Sequence, residues 1–280
     1  MKDAIMNLLN VINDLILSVG GNTSVLTAPL GGFMGSVYNY AIIIMNSVIM
    51  PIAYTVLALF FMLELYKASL KIENGGGGTT LGAEMIFRVM VKMVLCKMVL
   101  DLTPDILGVI YNVTTNITSG VAGVVAGGSA TGGMDTAALE PVIDALGFWG
   151  GIPVIILVCI ILLVTLLAVG LANVIIVARF FEMFIFICIS PIPLATLPHD
   201  EMSQIGKNFL KSFAAVCVQG TLIFLVLSFF PILFNSDFLD NSGAAGSIYL
   251  SLLGVLGYSI VLILAIFSTG KWAKSICNAM

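Results

Sequence analysis

The residues of this chain that are best suited to chemistry are a few charged side chains inside long apolar stretches. Lys97 and Asp101 lie one helical turn apart, at positions i and i+4, in a largely apolar segment. Ionisable groups within a membrane segment are costly and usually functional, which suggests an ion or proton path. The same spacing suits an ion pair that neutralises itself at a helix or subunit interface, and we favour this second interpretation.

A second charged pair lies at the end of the longest predicted membrane-spanning stretch, 152–178. Arg179 and Glu182 are three residues apart at the end of that stretch. Arginine at the cytoplasmic end of a membrane helix anchors the helix in the bilayer, and a local pair with Glu182 would add to this. A contact with a partner subunit is an alternative role, and the two roles are compatible.

A polar run, His199-Asp200-Glu201, directly follows Pro198. Side chains of adjacent residues diverge in space, so we do not predict a metal site there. Asp200 is instead expected to cap a helix that starts near Met202. The sequence contains no Ser/His/Asp set, phosphate-binding loop or cofactor motif, so we predict neither an enzyme nor a cofactor.

The amino-acid composition indicates what kind of secondary structure carries these charged residues. Of 280 residues, 60% are hydrophobic and 9% are charged, whereas a globular chain carries about 25% charged residues. Three stretches, 145–178, 212–236 and 241–270, contain no charge. Because about 20 apolar residues span a bilayer, the chain is predicted to be an all-α polytopic membrane protein. The scattered cysteines and the net charge of −4 predict neither a disulfide framework nor a duplex-binding surface.

Residues 1–20 are predicted to form an amphipathic helix and not a signal peptide. Apolar residues recur at three- and four-residue spacing from Ile5 onward, and Asp3 and Asp14 mark the opposite face. Helices that lie on a membrane usually carry several cations on the polar face, and this helix has only Lys2. Two destinations for the apolar face stay open, the membrane surface and a neighbouring subunit.

Residues 21–280 are predicted to form one membrane domain with about five transmembrane helices. These spans are expected at 45–66, 87–110, 152–178, 209–234 and 247–269. The span at 87–110 is the least apolar, and a surface helix is the alternative for it. Pro51 is expected to kink the first span. A Gly-rich loop is expected outside the cell at 112–147.

Prolines predict a break within the apolar stretch that follows Arg179. Pro191, Pro193 and Pro198 would interrupt a straight span, so we expect a helix that continues past Arg179 and ends in an elbow near 191–198. With five spans, nine of the eleven lysines and arginines lie on one side of the membrane. Since such residues concentrate on the cytoplasmic side, the N-terminus is predicted outside and the C-terminus in the cytoplasm.

The stretch from Arg179 to Leu225 resembles the core of the TrbL-like family, polytopic inner-membrane subunits of conjugative type IV secretion systems. The resemblance rests on four short features along this stretch: Arg179 to Glu182, Pro191 with Pro193, Gly206-Lys207, and Gln219-Gly220. Because no long soluble extension follows the last span, the chain is most similar to the short Gram-positive-type form.

The resemblance implies a homo-oligomeric platform or channel subunit of the cytoplasmic membrane that helps to move a DNA–protein substrate. The implied partners are other inner-membrane subunits, ATPases and membrane lipids, with the substrate bound only in transit. Six residues become candidates for the elbow and its interfaces: Arg179, Glu182, Pro191, Pro193, Gly206 and Gln219. A stand-alone small-solute transporter or ion channel is the alternative, although the internal repeats typical of transporters are not found.

Overall fold

The computed structural model describes residues 2–74, 79–127, 147–233 and 245–279, and within these ranges it contains helices and no β-strand. The helices are α1 Lys2–Gly21, α2 Gly35–Ile44, α3 Met50–Asn74, α4 Thr79–Asp101, α5 Thr103–Gly127, α6 Gly147–Ile189, α7 Pro191–Leu194, α8 Ser203–Leu233 and α9 Ala245–Ile276. A 3₁₀ turn, Asn22–Thr27, follows α1, and a π-helical turn, Met45–Ile49, joins α2 to α3. The all-α prediction is confirmed.

Four stretches of the described residues are long and apolar enough to cross a bilayer. They are Gly35–Glu73, Gly150–Ile189, Ser203–Ile232 and Tyr249–Ile276. Each contains all or most of one predicted span, and three of the four extend well beyond it. The prediction of a polytopic membrane protein is therefore confirmed.

The predicted span at 87–110 is wrong as a single apolar helix. α4 ends at Asp101 and α5 begins at Thr103, so the helix is interrupted at Leu102. Pro104 explains the interruption, because proline is accepted in the first turn of a helix but not in its interior. α4 also carries five charged residues, which keeps it out of the four apolar spans.

The predicted outside loop at 112–147 is wrong in its first part. α5 continues as a helix to Gly127, and residues 128–146 lie outside the described residues. Threonines in this part of the sequence suggested a loop. In the structure, one of them forms a hydrogen bond to a neighbouring helix instead. The Thr118 hydroxyl lies 2.9 Å from the Thr221 hydroxyl of α8, in a buried position. Small residues of this kind let membrane helices approach closely.

The backbone departs from α-helical geometry just before Pro51, where the sequence predicts a kink. The π-helical turn Met45–Ile49 lies directly upstream of this proline. Proline cannot donate the hydrogen bond that would close the preceding turn, and a single π-helical turn is a common way to absorb such a defect. The first span also begins earlier than predicted, at Gly35.

The chain divides into two compact units. The first comprises Met1–Thr27, Thr115–Arg179 and Gln219–Trp272, and the second comprises Ala28–Thr114, Phe180–Val218 and Ala273–Met280. Within the first unit α6 buries side chains at three- and four-residue spacing: Val154, Val158, Ile161, Thr165, Ala168, Ala172 and Ile176. This spacing turns one face of the helix toward the core of the unit.

The N-terminal helix α1 packs within the first unit. Four apolar side chains on one stripe are at most 1% exposed: Ile5, Leu9, Ile12 and Ile16. Asp3, Asn7, Asn10 and Asp14 on the other face are exposed, so the amphipathic prediction is confirmed. Both predicted destinations of the apolar face, the membrane surface and a neighbouring subunit, are wrong for this stripe. The stripe is buried within the chain itself, because other apolar helices of the same chain remove it from water.

In the second unit α3, α4 and the elbow share an apolar core. Its buried members are Met50, Ala53, Leu57, Leu100, Leu194 and Ala195. The predicted elbow is confirmed, since α6 ends at Ile189 and a new short helix begins at Pro191. Pro191 and Pro193 cannot donate the backbone hydrogen bonds that would continue α6, so the chain turns there.

Candidate functional site

The first candidate group is the charged pair on α4, in the second unit. Lys97 Nζ lies 3.4 Å from Asp101 Oδ2, and the Tyr54 hydroxyl of α3 donates a 2.5 Å hydrogen bond to Asp101 Oδ1. The Lys97 and Asp101 side chains are 62% and 40% exposed, so the cluster lies at the surface of the unit. Sequence analysis named the pair but missed Tyr54, because nothing in the spacing links it to α4. The three groups together hold one cation and one anion in mutual contact.

The second candidate group is built around Arg179, in the first unit. Arg179 is only 4% exposed, and its guanidinium lies against Gly220 of α8. A Cβ atom at position 220 would overlap the guanidinium carbon and both terminal nitrogens, so only glycine leaves this space free. Gln219 lies beside it in sequence, and its amide nitrogen would be 3.5 Å from a Cβ built on Gly270 of α9. Glu182, by contrast, is exposed in the second unit.

The third candidate group is the packed corner at the elbow. A Cβ atom at Gly206 of α8 would lie 2.9 Å from the Pro193 carbonyl oxygen and 2.8 Å from a methyl group of Leu197. Real Cβ atoms do not approach other heavy atoms so closely, and the carbonyl belongs to the backbone and cannot turn away. Pro193 and Gly206, which were predicted separately, therefore meet in one contact that glycine permits.

A charged cluster joins the end of the elbow, which here includes residues 199–201 after Pro198, to α3 and α4 in the second unit, and sequence analysis missed it. Lys67 Nζ donates a hydrogen bond to Glu201 Oε1 at 2.8 Å, and Lys92 Nζ donates one to Asp200 Oδ1 at 2.5 Å. The backbone N–H of Asp200 donates to Glu64 Oε1 at 3.2 Å. The cluster thus pairs the lysines of two helices with the carboxylates of the elbow.

The expected helix cap at Asp200 is wrong. The Asp200 carboxylate is engaged by Lys92, and α8 begins only at Ser203, whose backbone N–H donates to the His199 carbonyl at 2.8 Å. His199 is buried, and its Nε2 lies 3.2 Å from Lys67 Nζ. The polar run after Pro198 was the only sequence signal for this cluster, and it did not identify the distant lysines.

The two elbow carboxylates have lowered pKa values. The hydrogen bond from Lys92 holds the pKa of Asp200 below its usual range, and the hydrogen bond from Lys67 does the same for the pKa of Glu201. A carboxyl pKa that is lower in the folded than in the unfolded state adds stability at neutral pH, and this contribution disappears as the pH falls through the lowered pKa. The ion pairs are therefore intact at physiological pH.

Comparison with known families identifies the chain. The family model described as "TrbL/VirB6 plasmid conjugal transfer like protein" matches residues 12–191, which is more than half of the 280 residues. The chain belongs to this TrbL/VirB6 family. The resemblance drawn from Arg179 to Leu225 is thereby confirmed, although only the beginning of that stretch lies within the matched range. Neither a curated protein nor a solved structure matches the chain.

The matched range of this TrbL/VirB6 protein runs from within α1 to the first residue of α7. It includes the pair Lys97 and Asp101, and it includes Arg179 with the start of the elbow. Gly220, which contacts Arg179, and Gly206, which contacts Pro193, lie beyond the matched range. Within the described ranges of the TrbL/VirB6 protein, no three His, Cys, Asp or Glu side chains are grouped closely enough to hold a metal ion.

Proposed function

We propose that this chain is a membrane platform or channel subunit of a conjugative type IV secretion system, and that it helps to move a DNA–protein substrate across the cytoplasmic membrane. The proposal rests on the match to the TrbL/VirB6 plasmid conjugal transfer family over residues 12–191. Four apolar spans among the described residues are consistent with it, because such a subunit must be embedded in the bilayer.

A mating experiment tests this role. An in-frame deletion of the gene in a donor strain should abolish transfer of the conjugative element, and a copy supplied in trans should restore it. Nicking of the element's transfer origin should continue in the deletion strain, because a membrane subunit acts after the substrate is processed. Normal transfer frequency without the protein would contradict the proposal.

The chain is further proposed to cross the membrane five times. The second crossing, expected at 87–110, is then α5, which is less apolar than the four spans named above. Ion pairs link Lys67 to Glu201 and Lys92 to Asp200, which supports placing the elbow and these lysines on one side of the membrane. If α6 crosses once and ends at that side, the chain must also cross between Lys92 and Gly147. Between Lys92 and Gly147, the described residues include α5, whose residues 106–127 form an uncharged run of 22 residues. They extend about 33 Å as a helix, against a hydrocarbon core of about 30 Å.

The orientation of these crossings follows from the distribution of cations. Eight of the eleven lysines and arginines belong to the second unit: Lys67, Lys71, Arg88, Lys92, Lys97, Lys207, Lys211 and Lys274. The positive-inside rule supports a cytoplasmic location for the loops and helix ends that carry them. The N-terminus is then outside, and the C-terminus is cytoplasmic.

Cysteine labelling of intact cells tests this topology. In a cysteine-free background, single cysteines introduced at Ser129 and Asn241 should react with a membrane-impermeant maleimide from outside. A cysteine at Asn74 should react only after the cells are opened, because Asn74 follows Lys67 and Lys71 at the end of α3. Labelling of Asn74 from outside, with Ser129 protected, would reverse the orientation.

We also propose that the protein forms a homo-oligomeric ring that contacts other inner-membrane subunits and ATPases of the system. Five crossings are too few to enclose a wide passage. The exposed pair Lys97 and Asp101 lies near exposed apolar residues such as Val94 and Met98, a surface that another protein covers better than lipid does. Native mass spectrometry of gently extracted protein should show a closed oligomer, and a monomer at every concentration would contradict the ring.

A stand-alone ion channel or small-solute transporter is the second candidate function. The observation that favours it is the polar cluster that Tyr54 of α3 forms with Lys97 and Asp101 of α4. Ion flux through purified protein in liposomes, lost in a variant that removes both charges, would support this alternative over the secretion role.

A further inference from the structure

A cleft of about 490 Å³ opens between α3 and α4 in the second unit. Four cations line it, Lys67 and Lys71 on α3 and Arg88 and Lys92 on α4. In each helix the two cations are four residues apart, so they lie on the same face of that helix. Glu64 is the one acidic residue that these two helices add to the lining, and the helices alone therefore bring an excess of positive charge to the cleft.

The elbow supplies the remaining negative charge. Glu201 pairs with Lys67 and Asp200 pairs with Lys92, and the two carboxylate side chains are 77% and 80% exposed. Such exposed ion pairs stabilise a fold very little, so another anion can displace them. Among the described residues Lys71 has no ion-pair partner. Within the same described ranges, Arg88 is paired only with Glu84 of its own helix, at 3.1 Å.

We propose that this cleft binds the phosphate group of an anionic phospholipid, in competition with Asp200 and Glu201 of the elbow. A guanidinium and several ammonium groups on facing helices are the donors that phosphate prefers. Basic pockets between membrane helices on the cytoplasmic side are known to accept anionic headgroups. The inference does not depend on the proposed role in DNA transfer.

Apolar side chains beside the cleft favour a lipid over a soluble phosphate. Ala68 of α3 and Met85 and Val89 of α4 line the cleft together with its cations. These side chains provide a surface for acyl chains next to the site for the headgroup. Free phosphate carries the same charged group as the lipid, but it has no apolar part that could contact these side chains.

Native mass spectrometry of the full-length protein in detergent tests the site. The probe is dioleoyl-phosphatidylglycerol added to the micelles, with dioleoyl-phosphatidylcholine as the neutral comparison. Lys71→Gln/Arg88→Gln should bind phosphatidylglycerol roughly tenfold more weakly than the unmodified protein, since two charged contacts are lost. The matched control, Lys207→Gln/Lys211→Gln, removes two cations of the same unit that do not line the cleft, and it should bind normally.

A variant with the opposite expected effect keeps the test independent of folding defects. Asp200→Asn/Glu201→Gln removes the competing carboxylates, so it should bind phosphatidylglycerol more tightly. Displacement of the lipid by millimolar inorganic phosphate, with the same dependence on Lys71 and Arg88, would support the phosphate site and assign it to a soluble ligand. Equal binding of phosphatidylcholine, equal loss in the control variant, or no gain in the elbow variant would overturn the proposal.

Discussion

Gly220→Ala should lower the melting temperature of the purified protein and reduce its assembled fraction. The added Cβ overlaps the guanidinium of Arg179, a side chain that is 4% exposed, so the buried guanidinium must move from its position. Overpacking of this kind costs about 1–3 kcal/mol. Displacing a buried charge from its surroundings adds to that cost. Thermal unfolding in detergent, followed by intrinsic fluorescence, measures the change, and mating frequency reports the consequence for transfer.

Gly257→Ala is the matched control, because a Cβ at Gly257 of α9 meets nothing within 4 Å. Alanine stabilises a helix relative to glycine by up to about 1 kcal/mol, so this variant should melt at the same temperature or higher. The contact itself is tested by adding Arg179→Ala, which removes the guanidinium. Gly220→Ala should then cost little, and an equal cost in both backgrounds would show that Arg179 is not the cause.

Lys97→Ala should destabilise the protein more than Lys97→Met/Asp101→Leu. Among the described residues, the single substitution leaves Asp101 with the Tyr54 hydroxyl as its one partner, whereas the double substitution removes both charges at once. In a membrane or a subunit interface, leaving one partner of an ion pair without the other costs several kcal/mol. Melting temperature and protein level in the membrane fraction measure the difference between the two variants.

Arg88→Ala provides the comparison within the same helix. Arg88 and Glu84 also form an i,i+4 pair, and their side chains are 80% and 68% exposed. A solvated pair of this kind is worth about 0.3–0.5 kcal/mol, so its loss should hardly change the melting temperature. If Lys97→Ala is as mild as Arg88→Ala, then Asp101 is solvated and the pair does not lie in an apolar environment. Equal loss of transfer in Lys97→Ala and the double variant, at normal protein levels, would point to a direct role in conduction.

Hydropathy and proline position predicted the parts of the fold that depend on local chemistry. The uncharged stretch at 145–178 had to be helical and membrane-embedded, since a bilayer offers no other way to satisfy the backbone. Its helix continues past Arg179 to Ile189, as predicted, because Pro191 cannot donate the hydrogen bond that would continue it. Most of α5 was predicted to be a loop, because glycine and threonine are frequent in loops. Its packing against α8, where Thr118 contacts Thr221, could not be seen in the sequence.

The amino-acid sequence by itself determined the helical class, the apolar spans, the amphipathic face of α1 and the elbow at Pro191. Each of these follows from the properties of neighbouring residues. Only the tertiary structure decided that Arg179 meets Gly220, 41 positions away, and that Lys67 meets Glu201, 134 positions away. Whether two side chains on different helices touch depends on the rotation, tilt and register of both helices. Those quantities are set by the packing of the whole set of helices and not by either segment alone.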